Sequence, residues 1–287
     1  MTPALFTIQL LNSLAFAMLL FLIALGFSLI FGVGRVVNLA HGAFYMLGAY
    51  LGYTLTQALS NFWISLMLVP LAVGLLGGLA ERLLLRRLHG RELDQVLITV
   101  GLGFVIADLV RATWGAQIRS VPPPPELSGP VNLFGLFYPA YPLFVLLTGL
   151  LLFVIVTLLL RRSRFGIQVR AVTADPGIAA SLGLSPSRVT LLTFAFGTGL
   201  AALGGVVGAP LIALSVGLDA QMTMLAMIVV VIGGLGRIEG AFVGAILVGL
   251  VDGFGRLFFP QFAMFLIFGL TALVLSLRPQ GLLARRS

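Results

Sequence analysis

Long apolar runs alternate with short basic ones along this chain. No charge interrupts Leu14–Val33; Arg35 follows, and a second largely apolar run goes from Leu39 to Leu59. A hydrocarbon core ~30 Å thick needs about 20 apolar residues per helix. The pattern therefore predicts spans near residues 8–32, 38–58, 62–84, 93–114, 140–160, 188–209, 221–235, 240–256 and 260–277. Segments 38–58 and 221–235 are glycine-interrupted or short, so either is open to a re-entrant reading. The expected fold is all-α: a single polytopic membrane domain over 1–287, with about eight to nine transmembrane helices, some broken or re-entrant.

Composition agrees with that pattern. The chain is 60% hydrophobic and 9% charged, too little polar surface to cover a soluble domain of 287 residues. Its 35 glycines suit a membrane bundle, where small residues let helices approach without a hydrophobic drive to pack them. There is no cysteine, which removes disulfides and thiol catalysis. All 17 cationic side chains are arginine, and a P-loop needs its lysine to reach the β/γ-phosphates. ATP-driven work, if any, must come from a partner. Nothing before Arg35 is positively charged, so the first run reads as a retained span rather than a cleaved signal.

The arginines set an orientation. With nine alternating spans, Arg35, Arg82, Arg86, Arg87, Arg91, Arg161, Arg162, Arg164, Arg170, Arg188, Arg237, Arg278, Arg285 and Arg286 share one side. Only Arg111, Arg119 and Arg256 remain for the other. The positive-inside rule predicts that the rich side is cytoplasmic, with the N-terminus outside and the C-terminus inside. Trp63, Trp114, Tyr138 and Tyr141 fall at predicted outer ends, as an interfacial belt requires. Arginines clustered between apolar runs also argue against nucleic-acid binding.

Two loops stand out. Residues 115–139, outside, contain Pro122-Pro-Pro-Pro125, which favours a stiff extended spacer over a docking surface. Residues 161–188, inside, contain a compact helix signal. Asp175 suits an N-cap, Pro176 the first helical position and Gly183 the left-handed residue after the end. Ser185-Pro186 then launches the next span. The small helix is too apolar, at Ile178, Ala179, Leu182 and Leu184, for a solvated turn. Membrane-surface contact and seating on a partner are both open to it.

Asn38-Leu-Ala-His41-Gly42 is a polar motif at a break between membrane-length runs, where burial in lipid is costly. One reading is structural: Asn38 caps the helix and His41 bridges helices. The other directs a helix N-terminus at the translocation path or an inner gate, where free N–H groups suit a carboxylate. The cytoplasmic side of the membrane is where the topology puts this break. Gly32-x-Gly-Arg-Val36 and Gly234-x-Gly-Arg-Ile238 are similar breaks, each followed by a Gly-Ala-Phe at a different spacing. Two readings are open: that they face each other and frame one pathway, or that they are two ordinary tight cytoplasmic turns. His41 and His89 have no clustered carboxylate or cysteine beside them, so no metal site is expected.

Asn38-Leu-Ala-His-Gly-Ala-Phe-Tyr-Met-Leu-Gly-Ala-Tyr50 resembles the signature region of branched-chain amino-acid ABC-transporter permeases of the LivH type. So do Val229-Val-Val-Ile-Gly-Gly-Leu-Gly236 with Gly240-Ala241, and the Arg170–Gly183 loop with Thr193-Phe-Ala-Phe196. Urea and short-amide permeases share the pattern. The resemblance implies a permease subunit of an importer in a bacterial inner membrane. Its expected partners are two cytoplasmic ABC ATPases, a second permease (a related chain or a copy) and a periplasmic binding protein. No cofactor is expected on this chain; ATP and Mg would sit on the ATPases. The resemblance also implies ATPase coupling through Arg170, Asp175, Ile178, Ala179, Ala180, Leu182 and Gly183. Relatives often carry a glutamate before the paired alanines, where this chain has Gly177-Ile178. The pathway or gate would involve Asn38, His41, Gly42, Tyr45, Gly233, Gly234 and Gly236.

Two acid–base spacings qualify this picture. Asp108/Arg111 and Asp252/Arg256 are i,i+3 and i,i+4, and pairing is the favoured reading. A free Asp108 or Asp252 would instead suit an ion-coupled transporter or channel working without an ATPase. No Ser/His/Asp arrangement or metal cluster supports an enzyme. Gly204-x-x-x-Gly208 reads as close helix packing or a subunit interface.

Overall fold

The computed structural model describes residues 2–34, 37–88, 90–133 and 135–283. Arg35, His89, Arg285 and Arg286, which the sequence reading used, lie outside them. The helices are α1 (Pro3–Gly34), α2 (His41–Leu59), α3 (Phe62–Ala80), α4 (Glu92–Trp114), α5 (Ala140–Arg162), α6 (Arg164–Ala174), α7 (Pro176–Ser181), α8 (Pro186–Gly208), α9 (Leu218–Gly233), α10 (Ile238–Phe258) and α11 (Ala263–Leu277). Every predicted span coincides with one of them. Among the described residues, seven helices are long and apolar enough to cross a membrane. The two apolar helices outside that set are α2 and α9, the same two whose sequence is interrupted or short.

α1 is the central post. It is apolar all round and buried along Ala15–Ile30, as a helix enclosed by others must be. α10 packs antiparallel along it, with Ala17 against Gly249 and Ser13 against Gly253. α8 packs on a further face, where Gly26 meets Gly197 and Leu19 approaches Gly208. On α8, Gly204, Gly205 and Gly208 leave room for Tyr45 and Ala49 of α2. This glycine face is therefore filled by helices of the same chain, not by a second subunit. α3 turns the other way: Met67, Leu71, Leu75 and Leu79, four residues apart, form an exposed apolar stripe suited to lipid. α3 continues into a π-helical turn, Glu81–Leu85, which carries the buried Glu81.

The loops hold more structure than the sequence predicts. Residues 161–188 contain α6 as well as the small helix α7. The Ser163 hydroxyl caps α6 by accepting the Gly166 N–H at 3.0 Å. The proline run ends in a 3-10 turn, Pro125–Leu127, and leads into an antiparallel hairpin. Its strands are β1 (Pro130–Leu133) and β2 (Leu136–Pro139), with Pro130 opposite Pro139. Arg119 pairs with Leu214 through two backbone hydrogen bonds of 2.9 and 2.8 Å, tying this loop to the α8–α9 link.

The aromatic belt is only partly a belt. Trp63 is exposed, but Tyr138 and Tyr141 are buried in the protein. The Tyr141 hydroxyl donates to the Val207 carbonyl at 2.8 Å, and that of Tyr138 to Asn12 Oδ1 at 2.7 Å. Burial pushes the Tyr138 hydroxyl up to about 12, so it stays a neutral donor.

Candidate functional site

The Asn38–Gly42 motif lies deep in the bundle. His41 begins α2 beside Ile23 and Phe27 of α1, not at the end of α1. Ile23 precedes Gly34 by 11 positions, so α2 starts roughly 16 Å inside that end at 1.5 Å per residue. The break thus sits within the helix bundle, set back from the arginine-rich end of α1.

Its backbone donors are taken up by the chain itself, while Asn38 Nδ2 and His41 Nδ1 are buried with no hydrogen-bond partner among the described residues. The N-cap of α2 is Ala40, not Asn38. Asn38 Oδ1 accepts the Ala40 N–H at 3.1 Å, one step ahead of the helix. The Leu39 N–H donates to Thr99 Oγ1 of α4 at 3.3 Å, and the Gly42 N–H to Thr223 Oγ1 of α9 at 3.0 Å. The His41 N–H reaches the Asn38 carbonyl at 3.1 Å, and its Nε2 lies 2.9 Å from the Ile23 carbonyl oxygen. The donors that would have met a substrate carboxylate are occupied by Asn38, Thr99 and Thr223. A Cβ at position 42 would overlap the Asp219 carbonyl oxygen and the Thr223 hydroxyl, which explains the glycine. Tyr45 is equally buried and packs on α8. The arrangement clamps α1, α2, α4 and α9 together.

The second break behaves differently. Gly236, in the α9–α10 turn, takes φ 75°, a left-handed conformation that glycine adopts freely. A Cβ there would lie 3.0 Å from the Gly32 Cα. The two Gly-x-Gly turns do face each other, at the arginine-rich end. Gly233 packs on Gly240, and Gly234 is approached by Gly281 of the C-terminal segment. Leu282 and Leu283 hydrogen-bond the Ile232 and Gly233 carbonyls at 2.9 and 3.2 Å.

Beside this turn is a cavity of about 410 Å³, lined by Gly236 and by residues of α1, α5, α6 and α10. Arg161 of α5 and Glu239 of α10 form an ion pair of 2.8 Å in its wall. Arg170 of α6 also lines it and donates to the Leu160 carbonyl. Ser28 Oγ and Thr157 Oγ1 are buried there without hydrogen-bond partners among the described residues. At the opposite end a larger cavity of about 700 Å³ lies between the start of α1, the α8–α9 link, the start of α9 and the end of α10. Both cavities border the α1–α10 seam. Of the pathway residues expected from sequence, only Gly236 borders either one.

The two acid–base spacings part company. Arg256 Nε donates to Asp252 Oδ2 at 2.7 Å, with Asp252 buried. Asp108 and Arg111 are both exposed on α4 and form no ion pair among the described residues.

α7 forms as its end signals dictate. Asp175 Oδ1 accepts the Gly177 and Ile178 N–H groups at 2.8 and 2.9 Å, and Gly183 closes the helix at φ 84°. Its two faces differ sharply. Ala179 is 2% exposed, packed with Val169, Val172 and Val189. Ile178 is 62% and Leu182 77% exposed. Ala180 is exposed as well. Ala179 therefore seats the helix on its own chain, and a partner would meet Ile178 and Leu182.

Seven membrane-length apolar helices among the described residues, one of them the buried central post α1, define a multi-pass membrane protein, with separate cavities at its two ends. The chain belongs to the family described as branched-chain amino acid transport system / permease component, whose model matches residues 9–275. It is 28% identical to the high-affinity branched-chain amino acid transport system permease protein BraD of Pseudomonas aeruginosa, over 96% of this chain and 95% of that one. It is 26% identical to LivH of Escherichia coli K12 over the same shares. It is 30% identical to LivM of that organism, over 93% of this chain and 68% of LivM. No solved structure matches the chain. The protein is a permease component of a transporter.

Proposed function

We propose that this permease is the membrane subunit of an ATP-driven importer of branched-chain amino acids in a bacterial inner membrane. The arginine-rich end faces the cytoplasm, the N-terminus lies outside and the C-terminus inside. Two ABC ATPases supply the energy and hold ATP and Mg; a second permease chain and a periplasmic binding protein complete the assembly.

The observation that carries the reading is α7, a capped two-turn helix fixed through Ala179 that presents Ile178 and Leu182 outward beside arginine-rich segments. Two large aliphatic side chains held rigidly in water cost free energy unless something covers them. α7 also packs on α6, and α6 lines the inner cavity through Val169, Arg170 and Thr173. A push on α7 thus reaches the cavity through one short rigid element. Pairing of Asp252 with Arg256 weighs against a free, proton-coupling carboxylate at that position.

Reconstitution with candidate ATPases and a binding protein tests the reading. Leucine uptake should require ATP and stop when the ATPase is omitted; uptake driven by a proton gradient alone would overturn it. The double variant Ile178→Glu/Leu182→Glu should insert normally yet fail to co-purify with the ATPase. Undiminished co-purification would remove α7 from the docking role.

A further inference from the structure

The larger cavity, at the end opposite the arginine-rich loops, contains the Asp252–Arg256 pair. Both residues lie on the last turns of α10, and Asp252 is 5% exposed. An ionisable side chain inside a spanning helix is costly unless it serves an aqueous path. Only part of each group is used by the other. Arg256 spends its Nε on Asp252 Oδ2, and no hydrogen bond among the described residues engages Asp252 Oδ1 or either Arg256 Nη. A cationic fork and an acidic oxygen are thus left side by side, held in register by one 2.7 Å bond.

The surroundings fix this geometry and add no further charge. Gln9 Nε2 donates to the Gly253 carbonyl at 2.6 Å, pinning the backbone next to Asp252. Asn12 is held by the Tyr138 hydroxyl. Gln221 of α9 completes the polar lining, while Phe16, Ile212 and Met222 supply apolar wall. The volume, about 700 Å³, lies in the range of small-molecule sites. The same pair also borders a second, smaller cavity of about 220 Å³ between α9, α10 and α11.

We propose that the Asp252–Arg256 pair is a reception site for an α-amino-acid zwitterion, the guanidinium fork taking the carboxylate and Asp252 Oδ1 the ammonium. The proposal deepens the permease reading, on which it rests, by choosing among the substrates the family pattern leaves open. A lining with one acid and one base is electrically neutral. A zwitterion compensates both charges at once and leaves the site neutral. A simple cation or anion compensates one charge and leaves the other without its partner, which is costly for the buried Asp252, whereas the Arg256 side chain is 65% exposed and open to an arriving carboxylate. Urea and short amides bring only dipoles, for which the pair has no preference over water. An arginine fork matches a carboxylate in plane and spacing, and its charge-assisted bonds are about twice as strong as neutral ones.

The test uses the full chain in lipid nanodiscs, without ATPase, and reads ligand-induced thermal stabilisation. The probes are L-leucine, leucinamide (no carboxylate), 4-methylpentanoate (no ammonium) and acetamide. L-Leucine should stabilise the wild type while the other three do not. Arg256→Gln and Asp252→Asn should each weaken the leucine response by roughly tenfold or more, the loss of a charge-assisted bond. Equal stabilisation by leucinamide, 4-methylpentanoate or acetamide would overturn the site, as would no response to leucine. So would unchanged leucine binding in both variants. The wild-type ligand series stands even if a variant fails to fold. Leucine selectivity without ATP-driven uptake would count only against the importer; ATP-driven leucine uptake without zwitterion selectivity would count only against this site.

Discussion

The two glycine-bearing breaks, Asn38–Gly42 and Gly233–Glu239, both separate apolar runs in the sequence and do opposite things in the fold. The first is sunk in the bundle, with its backbone donors taken up by Asn38, Thr99 and Thr223. The second lies at the bundle end, where Gly236 and Glu239 border a cavity and Glu239 reaches across to Arg161. A break is free to meet a ligand only if its own chain has left its donors unspent. The polar motif that identifies the family spends its backbone donors in clamping helices together, and keeps only the buried Asn38 Nδ2 and His41 Nδ1 without a partner among the described residues. The plainer turn is the one next to open space.

That contrast can be broken by substitution. The largest effect is expected for Gly42→Leu, whose side chain would be driven into the Asp219 carbonyl and the Thr223 hydroxyl. Overpacking of this kind costs about 1–3 kcal/mol and sometimes more. The variant should lose most of its thermal stability in detergent, and a near-normal unfolding midpoint would mean the clamp is not tight. Thr223→Val is isosteric but removes the acceptor for the Gly42 N–H. A buried donor left unsatisfied costs about 1–3 kcal/mol, so its midpoint should fall clearly, though less than that of Gly42→Leu. Glu239→Gln is expected to be mildest. The Arg161–Glu239 side chains are 67% and 38% exposed, and exposed pairs contribute about 0–1 kcal/mol. A loss as large as that of Thr223→Val would erase the distinction between the two breaks.

The spans were legible in the sequence because apolar runs of membrane length have few alternatives in lipid. α7 was legible too: Asp175, Pro176 and Gly183 act on neighbouring backbone, so local chemistry suffices. α6 escaped notice because its residues are mixed in polarity and its main signal is one capping serine, Ser163. The hairpin at 130–139 was hidden behind the proline run. That Ala179 faces its own chain while Ile178 and Leu182 face outward is not legible in the sequence, because six residues of helix do not reveal which face is already covered. Arg161 meeting Glu239, and Gln9 meeting Gly253, had no sequence signal, since these partners are 78 and 244 residues apart.

The family was legible as a resemblance of motifs, while hydropathy and short-range chemistry were enough to determine a multi-pass helical membrane protein and the existence of α7. Those properties depend on composition, on runs of about 20 residues and on neighbours within one helical turn. Tertiary structure alone decided which polar groups are spent and which are free. The backbone donors of Leu39 and Gly42 in the Asn38 motif are consumed because Thr99 and Thr223 arrive from α4 and α9. Arg256 keeps its fork because no described residue other than Asp252 hydrogen-bonds its guanidinium. Whether a donor has a partner is a property of packing between distant segments, and no local pattern encodes it.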